Sequence, residues 1–157
     1  SNVEQYPDTV KHMVENGFEV CNHSWDHQSI ASDDKSFILK EIFDTQDSIY
    51  KLTGHEPTRI RPPYGAHNDL TYEAANGNDI HITLWNVDTL DWQNRDAHVT
   101  LSRAKEGTFD GAIILFHDLY PTSLAAIKEL IPYLQAQGYQ LVTVSDLFKY
   151  KGDKTGL

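Results

Sequence analysis

The run GAIILFHD, residues 111–118, is the most apolar stretch of the chain. Positions 112–116 are apolar without interruption. A strand with one wet face would alternate apolar and polar residues, so an unbroken run this short predicts a strand covered on both faces. Such strands belong to parallel sheets flanked by helices. The flanking sequence agrees. Upstream, residues 97–105 predict a short helix and HITLWNVD, residues 81–88, a strand rich in β-branched and aromatic residues. A weaker helical pattern covers 69–76, and RIRPPYG, residues 59–65, reads as a strand running into a turn, since two prolines forbid further ladder pairing. Residues 34–53 place Phe37, Ile38, Ile42, Ile49 and Leu52 near helical spacing, with Gly54 at the end. FEVCN, residues 18–22, predicts a strand after a helix over 7–16 that opens on Pro7 and stops at Gly17. Downstream, 122–136 predicts a helix bent at Pro132 and ending by Gly138. YQLVTVSDLF, residues 139–148, predicts a last strand and a turn. The alternation gives an α/β fold with a mainly parallel sheet, either a barrel or an open sheet. One domain is expected over 1–150, and the polar KGDKTGL at 151–157 reads as a flexible tail.

Composition narrows the function. Thirteen basic against 23 acidic residues give a net charge of −10. Nucleic acid and anionic membranes are therefore poor partners. No apolar stretch reaches the roughly 18 residues that a membrane span needs. Cys21 is the sole cysteine, which excludes an internal disulfide and a cysteine zinc cluster.

The polar residues follow the strands. His23 and His27 come after FEVCN, and Arg61, Pro62, Pro63, Tyr64 and Gly65 close the next strand. Asp88, Asp91 and Trp92 come after TLWNV, and His117 and Asp118 after AIILF. In parallel α/β folds the ligand site lies at the carboxyl ends of the strands. If residues 23–27 form a helical turn, the two histidines share a face and can grip one zinc ion. His117 suits general acid work when a carboxylate tunes it, and Asp88 and Asp91 are the candidates for that carboxylate. Both aspartates could instead be turn caps. Arg61, on a rigid diproline segment, could orient a carboxylate or form a surface ion pair. Trp92 could stack on a sugar or simply pack in the core.

The four motifs HSWDH, RPPYG, DTLDW and ILFHD, in this order, resemble those of the polysaccharide deacetylases with a NodB-homology domain, carbohydrate esterase family four. The resemblance implies a distorted (β/α) barrel with fewer than eight parallel strands. It implies metal-dependent hydrolysis of the N-acetyl amide of N-acetylglucosamine units in a cell-wall or chitin-like polysaccharide. His23 and His27 would hold the metal, zinc first, with cobalt or nickel also accepted by such ligands. Arg61 would position the catalytic carboxylate, and the Tyr64 N–H would help hold the oxyanion. Asp91 would tune His117, which would protonate the leaving amine. Trp92 and Leu115 would line the pocket for the acetyl methyl. An N-acetylated glycan is the implied partner, and the implied location is extracellular or at the cell surface.

The family also carries an Asp-Asp motif at its first strand, supplying the base and the third metal ligand. Asp33 and Asp34 lie in ASDDKS, which reads as a helix N-cap and not as that motif. The third ligand is thus expected outside this chain, and with it the N-terminal strands and helix of the barrel. A non-catalytic carbohydrate-binding relative or inactive fragment is the alternative reading. A phosphoesterase is a weaker one, given the acidic surface.

Overall fold

The computed structural model describes residues 1–151, the last of them by its backbone alone. The expected tail over 151–157 starts at a residue that is helical, Lys151, and otherwise lies outside the described residues. Contacts divide the chain into two compact units, one over 1–84 and one beginning at Trp85.

The first unit opens with α1 (Asn2–Gln5) and α2 (Pro7–Glu15), the latter with Pro7 in its first turn and Gly17 at φ 78° just beyond it. The long α3 (Lys35–Thr53) starts at Asp34, whose carboxylate accepts the N–H groups of Ser36 and Phe37. Asp34 is thus the expected cap. Gly54, at φ 71°, ends the helix in the left-handed conformation that glycine adopts without strain. Next come β1 (Arg59–Ile60), a 3-10 turn at Pro63–Gly65, α4 (Asp69–Asn76) and β2 (His81–Ile82). β1 and β2 pair in parallel, and Asn22 bridges Ile60, also in parallel. Ile38 and Ile42 of α3 pack with Ile30, Ile60, Ile80 and Ile82 into the buried core of this unit.

The second unit contains β3 (Val87–Asp88), α5 (Asp91–Asn94), α6 (Ala97–Gly107), β4 (Ile114–Leu115), α7 (Pro121–Ala136) and α8 (Val144–Lys151). β3 and β4 pair in parallel, Val87 opposite Ile114 and Asp88 opposite Leu115. α6 and α7 bury Leu101, Ala104, Ala126, Leu130 and Leu134 against one another. α7 continues through the exposed Pro132. At the end of α6, Gly107 permits a close approach, because a β-carbon there would sit 2.7 Å from a Val87 methyl.

Three expectations are corrected. FEVCN forms a single bridge and not a strand, because the chain turns left-handed at Ser24, two residues after Asn22. HITLWNVD is two short strands, with the boundary between units falling at Leu84 and Trp85. Residues 140–143 join no ladder among the described residues, which leaves Leu141 51% and Val142 43% exposed, and 144–151 is helical. The helix starts where the Thr143 hydroxyl accepts the Asp146 N–H, a capping signal readable as Thr-x-x-Asp.

Candidate active site

In the first unit the two histidines do come together, by a route other than the expected helical turn. Residues 23–27 form no helix. Ser24 and His27 instead take left-handed conformations, φ 67° and 65°, and fold the segment back on itself. Each such conformation costs an L side chain about 1–2 kcal/mol. The rings of His23 and His27 end 4.9 Å apart between centroids and nearly perpendicular.

The strain is offset by side-chain acceptors. Asn22, 1% exposed, anchors the start: its amide donates to the Ile42 carbonyl and to Gln46. Its main chain is held between Arg59 and Arg61, with N–H to the Arg59 carbonyl and carbonyl to the Arg61 N–H. Asn22 Oδ1 accepts the Ser24 N–H at 2.9 Å, and Ser24 Oγ accepts the His27 N–H at 3.0 Å. Glu41 Oε2 accepts the N–H groups of Trp25 and Asp26 at 3.0 and 3.2 Å.

His23 Nδ1 lies 2.5 Å from the Arg61 carbonyl oxygen, so Nδ1 carries the proton and Nε2 is the nitrogen with a lone pair for a cation. A carbonyl behind the far nitrogen is the usual means of fixing a ligating imidazole. The pair therefore fits two positions of a divalent metal's shell. Among the described residues no third His, Cys, Asp or Glu gathers with them.

The Arg61–Gly65 segment adds a second feature. Tyr64 is left-handed at φ 60°, with its ring edge-on to His27 at 5.0 Å and 73% exposed. Neighbouring Gly65 and Ala66 donate to Pro62 and Pro63, whereas the Tyr64 N–H donates to no acceptor among the described residues. An unbonded main-chain donor on a strained, proline-stiffened turn is what oxyanion binding requires. Arg61 itself contributes its main chain, through Asn22 and His23.

Cys21, beside this segment, is pushed up to about 12 by burial and by the Glu19 charge, with Arg59 and Arg61 opposing.

The second unit holds the other group. Asp91 is wholly buried at the start of α5. Its Oδ1 accepts from His117 Nδ1 at 2.7 Å and from the Trp92 N–H at 2.9 Å. Its Oδ2 accepts the His117 N–H at 2.7 Å and the Ser123 hydroxyl at 2.6 Å. Burial pushes the carboxyl up, and the bonds from Ser123 and His117 more than reverse it, leaving Asp91 below the ordinary carboxylate range. The Asp91 carboxylate thereby keeps a proton on His117 Nδ1 and turns Nε2 away from it. Its side chain is one third exposed and meets no protein partner at Nε2 among the described residues.

Between the two aspartate candidates the structure chooses plainly. Asp91 is the partner of His117, while Asp88 caps the turn through the Leu90 N–H. Trp92 is 46% exposed, so it is not core packing. Leu115 is 5% exposed and lies in the β3–β4 ladder, its carbonyl accepting the Thr89 hydroxyl. An open cleft of about 650 Å³ in this unit, lined by Ile113, Leu134, Tyr139 and Leu141 among others, includes none of the predicted site residues.

Ser123, Glu41 and Asn22 escape sequence reasoning. Ser123 lies 32 positions from Asp91, and Glu41 15 positions from Asp26, with no spacing rule to connect them. Ser24, three residues before His27, is the one such group a local serine-turn pattern could have found.

Comparison with known proteins gives one consistent result. A family model described as polysaccharide deacetylase matches residues 1–83. The Bacillus subtilis peptidoglycan-N-acetylmuramic acid deacetylase PdaC is 44% identical over 96% of this chain and 32% of its own length. Its solved structure superposes with a TM-score of 0.91 at 42% identity, covering 97% of this chain and 74% of that one. The Listeria monocytogenes peptidoglycan-N-acetylglucosamine deacetylase PgdA is 37% identical over the same shares of chain and relative. A family 4 acetyl xylan esterase from Clostridium thermocellum, solved in complex with a cobalt ion, matches with a TM-score of 0.84 at 31% identity, over 94% of this chain and 72% of that one. The chain spans about a third of the length of the curated peptidoglycan deacetylases it matches. The expected fold, a distorted (β/α) barrel with fewer than eight parallel strands, is the one it shares with these solved deacetylases.

Proposed function

The chain belongs to the polysaccharide deacetylase family, and from that premise we propose that it takes part in metal-dependent hydrolysis of the N-acetyl amide of N-acetylglucosamine units in a cell-wall polysaccharide. Water and the amide give a free amino sugar and acetate. The observation that carries the reading is the imidazole pair: His23 and His27, 4.9 Å apart, with His23 pinned through Nδ1.

His23 and His27 hold the metal, zinc in the first instance. When bound, such an ion polarises a carbonyl and acidifies its water. The Tyr64 N–H, without another acceptor, donates to the oxyanion of the tetrahedral intermediate. His117 holds a proton at Nε2 for the departing amine, while Asp91 keeps Nδ1 protonated and the ring in place. Trp92 offers an exposed indole to a sugar face. Arg61 positions a carboxylate base, and Leu115 contributes to the wall for the acetyl methyl. The base and a third metal ligand are assigned to no residue of this chain. A glycan substrate of this kind places the protein at the cell surface or outside the cell.

Zinc titration by calorimetry, with His23→Ala and His27→Ala beside the wild type, tests the metal half. Acetate release from N-acetylglucosamine oligomers, with His117→Ala, tests the chemistry. The reading predicts that the first two variants lose zinc and the third keeps zinc but loses acetate release. Zinc affinity indifferent to both histidines would overturn it.

A second reading, a glycan-binding relative without catalysis, is favoured by the absence of a third donor beside the two histidines among the described residues. It predicts glycan binding that survives His117→Ala, with no acetate formed by the wild type.

A further inference from the structure

Four successive N–H groups, from Ser24 to His27, end on side-chain oxygens and none on a main-chain carbonyl. Two of the four go to one atom, Glu41 Oε2. Glu41 is 3% exposed and projects from α3, between the core residues Ile38 and Ile42. Burying a carboxylate in such a place is unfavourable unless it is fully hydrogen-bonded. A residue serving the helix core alone would be apolar. Glu41 spends its oxygen on the midpoint of the segment whose two ends are His23 and His27.

We propose that Glu41 is the positioning residue that fixes the separation of the two histidine rings, and so sets the affinity of the site for a divalent metal. The inference rests on the reading of His23 and His27 as metal ligands. Glu41 acts through the backbone of Trp25 and Asp26, whose N–H groups it accepts. Without that acceptor, nothing else among the described residues draws these two N–H groups inward, and the left-handed turns at Ser24 and His27 keep only the Asn22 and Ser24 acceptors at their ends.

Three variants separate this role from plain core packing. Glu41→Gln keeps an oxygen that can accept both N–H groups. Glu41→Met keeps the length and removes the acceptor. Glu41→Asp keeps the charge but is one methylene short. Thr45→Val, one turn along α3 and bonded to the Glu41 carbonyl, is a buried control. Zinc affinity is read by calorimetry, and protection of the Trp25 and Asp26 amides by hydrogen exchange in metal-free protein.

Loss of a group that holds a metal ligand in place typically weakens binding by about 10–100-fold, and that range is expected for Glu41→Met and Glu41→Asp, against about threefold or less for Glu41→Gln. Trp25 and Asp26 should exchange faster in the first two while the Ile42 amide does not. Should Glu41→Met fail to fold, Glu41→Asp decides. Wild-type zinc affinity in either folded variant overturns the inference, as does an equal loss in Thr45→Val. Wild-type protein that binds zinc no better than His23→Ala removes the metal reading instead; amide protection at Trp25 and Asp26 unchanged in Glu41→Met counts against Glu41 by itself.

Discussion

Asparagine at position 91 should lower the stability of the second unit by about 2–4 kcal/mol at pH 7. The figure follows from the four donors around the carboxylate. On the Oδ1 side are the Trp92 N–H and His117 Nδ1; on the Oδ2 side are the His117 N–H and the Ser123 hydroxyl. An asparagine must place its NH2 on one side. On the Oδ2 side, the serine can rotate to accept, but the His117 main-chain N–H cannot. On the Oδ1 side, His117 can change tautomer, but the Trp92 N–H cannot. Either way one N–H at a wholly buried position loses its acceptor, at about 1–3 kcal/mol, and the remaining bonds lose their charge assistance, at about 1 kcal/mol more. The pH dependence gives a second check. A carboxylate held below its ordinary range adds stability that is complete above the unfolded value of about 3.9 and is lost as pH falls through the folded value. Asp91 is such a group. Asp26, Asp96 and Asp146 are also held low, but wild type and Asp91→Asn share them, so the difference between the two proteins isolates Asp91. Urea unfolding followed by circular dichroism at about pH 7 and about pH 3 should show the gap between the proteins narrowing in acid. A gap under about 0.5 kcal/mol, the size of an ordinary surface effect, or one that does not change with pH, would refute this account of the Asp91 site.

Asp34→Ala, which removes the acceptor for Ser36 and Phe37, should cost the first unit about 1 kcal/mol in the same unfolding assay; no loss would mean the cap contributes nothing. Gly107→Ala should destabilise the second unit by about 1–3 kcal/mol despite the better helix former, since the new methyl must displace Val87; a stabilised variant would show that the approach relaxes freely. Cys21, raised from 9.0 to about 12, should carry about a thousandfold less thiolate near pH 8, and its alkylation by iodoacetamide should be slower in proportion; a rate near that of a free thiol would contradict the burial argument.

The helices were legible because their signals are local. α3 matches the expected 34–53 to within a residue: its apolar spacing, Asp34 and Gly54 all lie inside one segment. α4 was found over the same residues as expected. The strands were less so, because a ladder depends on a partner far along the chain. HITLWNVD reads as one strand by composition, yet its two ends pair with β1 and β4, at separate places in the sequence. YQLVT has strand residues and, among the described residues, no strand beside it, so composition alone could not make it one.

The site divides in the same way. That His23 and His27 meet, and that an aspartate after TLWNV reaches His117, follows from which residues stand after which strand, and this was readable; Asp91 rather than Asp88 was named only by the family resemblance. How they meet was not. The i,i+4 spacing suggested a helical turn, and the structure reaches the same proximity through two left-handed residues that a helix would never contain. Such a turn is stable only if something accepts its inward N–H groups, and the acceptors come from Asn22, Ser24 and Glu41, the last on a helix that the sequence presents as merely amphipathic. Glu41 sits one residue from Ile42 in a run whose pattern asks for an apolar side chain or a solvated one. A buried charge there breaks the local rule, and the break is compensated by the segment that carries the histidines. Where a residue is wrong for its own helix and right for a loop 15 positions away, local pattern must misread it.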